Sequence, residues 1–208
     1  VEKNFNRILF LNYWIIAFCS ICLICLIQPF IHLWLGADYQ LPMFTVLIII
    51  VVFYFNGMRR TVLEFRNAAG LFWADRYKAL VESFVNLVVS IPLTYALGVA
   101  GVKLGTLISL LGVAFWVEGR ILYKYLFQKS VLQYLFLQTK YAVVTGIQLI
   151  CAYWACRLID LTSLSMLLKF VLQMVICLII PNVMIVIIFW KTDEFQYAKN
   201  LVKKIIKR

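Results

Sequence analysis

Apolar runs of bilayer-spanning length recur along this chain, and no other feature restricts its fold as strongly. A helix needs about 20 such residues to cross the hydrocarbon of a membrane. Six segments can be drawn, at about 8–35, 41–58, 79–97, 100–123, 137–159 and 164–190. Of the 208 residues, 64% are hydrophobic and 14% charged, whereas soluble domains carry about 25% charged side chains. An ordinary soluble domain is excluded. The expected fold is all-α, a polytopic membrane protein with six transmembrane helices in residues 1–190 and a basic amphipathic tail at 191–208.

The formal net charge of +11 matters less than its arrangement, and it calls for no nucleic-acid partner. One set of span ends holds Lys3, Arg7, Arg59, Arg60, Arg66, Arg76, Lys78, Arg120, Lys124, Lys129 and Lys140, followed by Lys191, Lys199, Lys203, Lys204, Lys207 and Arg208. The other set holds Lys103, Arg157 and Lys169. Seventeen basic residues against three place both ends in the cytoplasm by the positive-inside rule, and five or seven crossings would scramble the alternation. The connections on the sparse side, 36–40, 98–101 and 160–163, leave no room for an external domain. On the basic side, Met58, Val62, Phe65, Ala69 and Phe72 keep helical spacing between polar positions, which predicts a helix continuing through 57–78 into or along the interface. The tail repeats the pattern with Phe195, Leu201, Val202, Ile205 and Ile206 among lysines, suited to an anionic leaflet.

All six cysteines, Cys19, Cys22, Cys25, Cys151, Cys156 and Cys177, lie inside apolar runs. None has metal-ligand spacing with a histidine, so they read as reduced, structural thiols, and neither metal nor cofactor is expected. In the fourth span Gly101, Gly105, Ser109 and Gly112 recur every three or four residues, which lets a neighbouring backbone approach. Pro29, Pro92 and Pro181 each remove a helix hydrogen bond and are candidate kinks.

A charge at the centre of a span costs about 2.5–3.5 kcal/mol on insertion scales, so polar residues there call for a reason. Lys78, Glu82, Asn86, Ser90 and Thr94 follow one another at intervals of four along the third span. Two readings fit: the wall of a water-filled cavity, or an i,i+4 ion pair at the interface with Asn86 bonded to a neighbouring helix. In the fifth span, Gln138, Tyr141, Thr145 and Gln148 suit hydroxyl-rich ligands and interhelical hydrogen bonds equally. Asn56, Arg59 and Arg60 close the second span, with Arg66 two turns on; guanidinium forks match phosphate oxygens, although helix orientation alone also calls for arginine there.

Glu118 is a candidate proton or cation site, with pairing to Arg120 or Lys124 the simpler expectation. His32, beside Trp34, reads as a packing residue. Asp38, Asp160, Asp193 and Glu194 are loop acids without an evident partner. No metalloprotease helix motif, serine-nucleophile elbow, phosphate-binding glycine loop or Asp-x-Asp pair occurs, so no enzyme is expected.

Two stretches carry a family likeness. Gln28-Pro-Phe-Ile-His-Leu-Trp-Leu-Gly-Ala-Asp-Tyr39 ends an apolar helix in a Leu-Trp-Leu-Gly-x-x-Tyr turn. The second stretch runs from Arg66-Asn-Ala-Ala-Gly70 through Asn86-Leu-Val-Val-Ser90 to Gly98-Val-Ala-Gly-Val-Lys-Leu-Gly-Thr-Leu-Ile-Ser109. Together they resemble the polysaccharide repeat-unit flippases, the Wzx-type O-antigen and capsule transporters of the multidrug/oligosaccharidyl-lipid/polysaccharide exporter superfamily. The last two spans match only in hydropathy and placement. Such transporters have two six-helix lobes around a central cavity, and the likeness implies that this chain is the second. A missing N-terminal lobe would then account for Val1 in place of an initiator Met.

The resemblance implies a flippase of the bacterial inner membrane that moves a polyprenyl-diphosphate-linked oligosaccharide between leaflets by alternating access. It would contact membrane lipid and the other lobe. Position and charge then suggest Arg59, Arg60 and Arg66 for diphosphate attraction, Asn56, Asn86 and Gln148 for cavity lining, and Glu82 for ion coupling. A multidrug or small-cation exporter of the same superfamily is the nearest alternative, and a membrane-embedded glycosyltransferase or polymerase a more distant one.

Overall fold

The computed structural model describes residues 1–206; Lys207 and Arg208 of the basic tail, and the side chains of Ile205 and Ile206, lie outside the described residues. Every regular element among the described residues is helical. Six helices are long and apolar enough to cross a membrane, the make-up of a membrane-embedded protein. The reason is general: lipid offers backbone groups no hydrogen bonds, so each crossing satisfies them within itself.

The helices run past the apolar stretches that define them. α1 spans Glu2–Trp34 and begins within the charged leader, with Glu2 in its first turn where a carboxylate complements the helix dipole. α2 spans Met43–Ala68, ten residues beyond the apolar run, as the spacing of Met58, Val62 and Phe65 requires. It does not continue to residue 78. Gly70 takes a left-handed conformation (φ 68°) and ends the helix, and a short 3-10 segment, Leu71–Asp75, follows. α3 spans Lys78–Leu97. The fourth crossing is composite: α4 (Val99–Ser109), a π-helical turn at Leu110–Ala114, α5 (Phe115–Ile121) and a second π-helical turn at Leu122–Leu126. α6 (Val131–Asp160), α7 (Met166–Phe189) and α8 (Asp193–Ile206) complete the chain.

The chain divides into two compact units. The first holds residues 1–2 and 42–140. Within it, α3 and α4 form a hairpin across Gly98, whose backbone (φ 59°, ψ −133°) suits glycine. Glycines let the two backbones approach: a Cβ on Gly101 would strike the Leu93 carbonyl, and one on Gly105 would lie 2.8 Å from the Ser90 Cα. α2 packs on the other side of α4, where Ile48 and Val52 meet Ala100, Leu104 and Leu107. α3 contributes no fully buried residue, so α4 is the centre of this unit.

The second unit holds residues 3–41 and the chain from Tyr141 onward. Ile21 and Cys25 of α1 meet Ala152 and Cys156 of α6 and Cys177 of α7 in its core. Toward one end of α1, Tyr13 stacks on Tyr141 with ring centroids 4.2 Å apart, and Phe10 lies 5.2 Å from Phe189. Pro181 has no N–H to offer the Cys177 carbonyl four residues earlier. The Cys22 thiol approaches that carbonyl instead, at 4.0 Å. α8 is tied to α1: Phe195 is buried and stacked on Trp14, Lys3 pairs with Asp193 at 3.4 Å, and the Arg7 guanidinium covers the Tyr197 ring. Asp193, expected to lack a partner, therefore has one. Lys203 and Lys204 are exposed, as are the neighbouring Leu201 and Val202.

The α3–α4 contact yields a test. Gly101→Ala and Gly105→Ala are each expected to lower the unfolding free energy in detergent titrations by about 1–3 kcal/mol through overpacking. Gly112→Ala, whose new methyl would meet nothing within 4 Å, is expected to be neutral or stabilising by up to about 1 kcal/mol.

Candidate functional site

The first unit gathers four charged side chains, one of them fully buried, in one network. Glu118 lies on α5, the single α-helical stretch between the two π-helical turns, and is wholly inaccessible to solvent. π-turns widen a helix locally and are common at functional sites. Arg59, at the C-terminal end of α2's apolar run, grips Glu118 with two prongs: Nε donates to Oε2 at 3.0 Å and Nη2 to Oε1 at 2.5 Å. Such fork-on-carboxylate pairs are among the strongest charge-assisted contacts. Lys78, in the first turn of α3, donates to the same Oε1.

Glu82 completes the network on looser terms. Its Oε1 accepts from Arg59 Nη1 at 3.3 Å, and its Oε2 lies 3.7 Å from Lys78 Nζ. Its side chain is 24% exposed, against 0% for Glu118, 9% for Lys78 and 12% for Arg59. Asn56 Oδ1 accepts from Arg59 Nη1 at 3.4 Å. Two cations therefore face two carboxylates, and the group is formally neutral. Neutrality is what makes burial tolerable, since a lone ion taken out of water costs several kcal/mol.

Aromatic packing seals the inner side. Tyr134, fully buried, lies 5.2 Å from Phe115 and 5.6 Å from Tyr123 between ring centroids. A Cβ on Gly119 would collide with the Tyr134 ring, so the residue after Glu118 must be small for this wall to close.

The structure thus brings Asn56, Arg59 and Glu82 together, along with Lys78 and Glu118. The simpler expectation for Glu118 is corrected: it pairs with Arg59 and Lys78, while Arg120 and Lys124 are exposed. The three arginines do not act as one group. Arg60 is exposed and makes no ion pair with another described residue. Arg66 pairs through Nη1 with Asp75 in the 3-10 segment and donates through Nη2 to Asn67 Oδ1 at 2.9 Å.

Asn86 donates to Thr106 Oγ1 and Ser109 Oγ at 3.3 Å each and accepts from Ser90 at 3.3 Å. Its amide thus joins α3 to α4. Gln148 belongs to the second unit, where it is fully buried and donates to the Pro181 carbonyl at 3.2 Å; its Oε1 has no partner among the described residues. Asp160, expected to lack a partner, accepts from the buried Gln173 at 2.7 Å. Sequence reasoning missed Asp75 and Gln173 as partners. The signal for Gln173 is an amide amid the most apolar of the six spans.

No protein-family profile, curated protein or solved structure matches the chain. The flippase likeness therefore rests on the residue patterns quoted above.

The unequal hold on the two carboxylates is measurable. Glu118→Gln is expected to cost about 3–5 kcal/mol of unfolding free energy, because it leaves Arg59 and Lys78 with excess buried positive charge. Glu82→Gln, at a partly solvated position, is expected to cost about 1 kcal/mol. Equal losses in detergent unfolding titrations would show that the two acids are held alike.

Proposed function

We propose that this chain is one six-span lobe of a flippase that carries polyprenyl-diphosphate-linked oligosaccharide units across a bacterial inner membrane, alternating access with a second lobe. One observation carries the reading: the buried network contains a loosely held acid. Glu82 is the most exposed of the four charged groups and has the longest contacts. A diphosphate arriving from the basic side would replace Glu82 on Arg59 Nη1 and Lys78, while Glu118 keeps the same cations anchored. Exposed Arg60, one residue from Arg59, would make the first contact. Arg66 would join only if its pair with Asp75 opens.

Glu82 also supplies a means of coupling. Protonated, it loses its attraction for Arg59 and Lys78 and frees them for phosphate; ionised again, it competes with the phosphate and favours release. The charge bias of the span ends supports a cytoplasmic location for this network, where the lipid-linked sugar is assembled. Asn56, beside Arg59, would meet the first sugar. Asn86 and Gln148 remain candidates for cavity lining, their amides being used at present in interhelical bonds.

The test is complementation of a strain deleted for the gene, reading surface glycan and membrane protein level together. Arg60→Ala and Glu82→Gln are expected to reach wild-type levels in the membrane yet cut glycan export roughly ten- to a hundredfold, the effect of losing a charge-assisted contact of about 1.5–3 kcal/mol. Unimpaired export by both variants would refute the assignment. Lost drug or cation efflux with intact glycan would favour the exporter, and sugar transfer by the purified protein would favour the enzyme.

A further inference from the structure

Cys25, Cys156 and Cys177 come from three different helices and meet in the core of the second unit, with all three sulfur atoms within 4.8 Å of one another. They are 7%, 4% and 0% exposed. The sulfurs of Cys156 and Cys177 are 3.8 Å apart, far beyond the bond length of about 2.05 Å in a disulfide. First-row ions bind thiolate sulfur at about 2.3 Å, and three such bonds in a plane would space the sulfurs about 4 Å apart. The Cys156–Cys177 pair already has this spacing, and the Cys25 sulfur lies within 4.8 Å of both.

A cavity with soft donors lies near them. A cavity of about 440 Å³ is lined by His32, Met166, Asp160, Lys169 and Gln173, among others. His32 Nδ1 and Met166 Sδ, a nitrogen and a soft sulfur donor, lie 3.1 Å apart there. Gln173 stands one helical turn before Cys177, and its amide donates to the Cys156 carbonyl at 3.4 Å. The cavity wall is therefore one turn, about 5 Å, from the sulfur group.

We propose that Cys25, Cys156 and Cys177 form a three-sulfur site for a soft monovalent ion of the copper(I) class, entered past His32 and Met166. The donor set selects the ion: sulfur favours copper(I) over hard cations, and a tetrahedral zinc site would want a fourth donor, whereas the group has three. Charge selects it too. A monovalent ion bound by one thiolate and two thiols, with one proton released, leaves the site neutral, as an apolar surrounding of Ile21, Ala152 and Leu26 requires. No sugar or diphosphate enters this site, so its test is separate from that of transport.

The full chain, purified in detergent under reducing, anaerobic conditions, would be titrated with silver(I) as a redox-silent probe. Copper(I) would then be tested in competition with a chromogenic chelator. One ion per chain is expected, and the affinity should rise about tenfold per pH unit, the consequence of releasing one proton. Cys25→Ser, Cys156→Ser and Cys177→Ser should each weaken binding by roughly a hundredfold, while Cys151→Ser, at an exposed position, leaves it unchanged. X-ray absorption of the copper(I)-loaded wild type, which needs no variant to fold, should show three sulfur neighbours at about 2.3 Å. The proposal is overturned if the chelator strips all copper, if the triple serine variant binds as well as wild type, if the absorption shows only nitrogen or oxygen neighbours, or if the purified thiols are already joined as a disulfide that excludes the ion.

Discussion

The Glu118 carboxylate, buried without solvent and gripped by Arg59 and Lys78, is the interaction on which the first unit depends. It joins the second, third and fourth crossings at one point. In lipid, apolar side chains gain little by meeting one another rather than the acyl chains, so close packing and polar contacts must supply the specificity of helix association. The glycine-mediated approach of α3 to α4 supplies the packing. The ion network supplies a contact that few other helix registers could satisfy. Its strength carries a condition, because removing any one partner converts a neutral group into a buried net charge.

The second unit solves the same problem with weaker polar groups. Trp14 donates to Asn182 at 2.7 Å, Gln148 to the Pro181 carbonyl at 3.2 Å, and Gln173 to Asp160 at 2.7 Å. Two of these contacts gather around Pro181 in α7. A proline frees a carbonyl in a place without water, and side chains from neighbouring helices occupy that region. Pro181 lies one turn beyond Cys177, so the proline and the sulfur group occupy adjacent turns of α7.

The crossings were legible in the sequence because hydropathy is a local property and each span must satisfy its own backbone. So was the extension of α2 as far as Phe65, from its apolar spacing. The stop at Gly70 was not, since Ala69 and Phe72 keep the helical interval across a residue whose left-handed backbone ends the helix. Glu118 was visible as an acid in an apolar span, but nearness in sequence misdirected the choice of partner. Arg120 is two residues away, an offset that puts side chains on different faces of a helix, and Lys124 sits within the second π-turn. The true partners lie 40 and 59 residues away, and only the folding of α2 and α3 against α5 brings them in. The thiols follow the same rule: spacing along one helix gave no ligand pattern for Cys25, Cys156 and Cys177, because the pattern is made by three helices.

Arg59 and Glu118 act as a coupled pair that holds the first unit together. A double-mutant cycle on Arg59→Met and Glu118→Met, with unfolding free energies read from detergent titration of the purified chain, tests it most directly. Each single substitution strands a charge and the double strands fewer, so a coupling energy of about 2–3 kcal/mol is predicted. Additive losses, with coupling below about 0.5 kcal/mol, would contradict the claim.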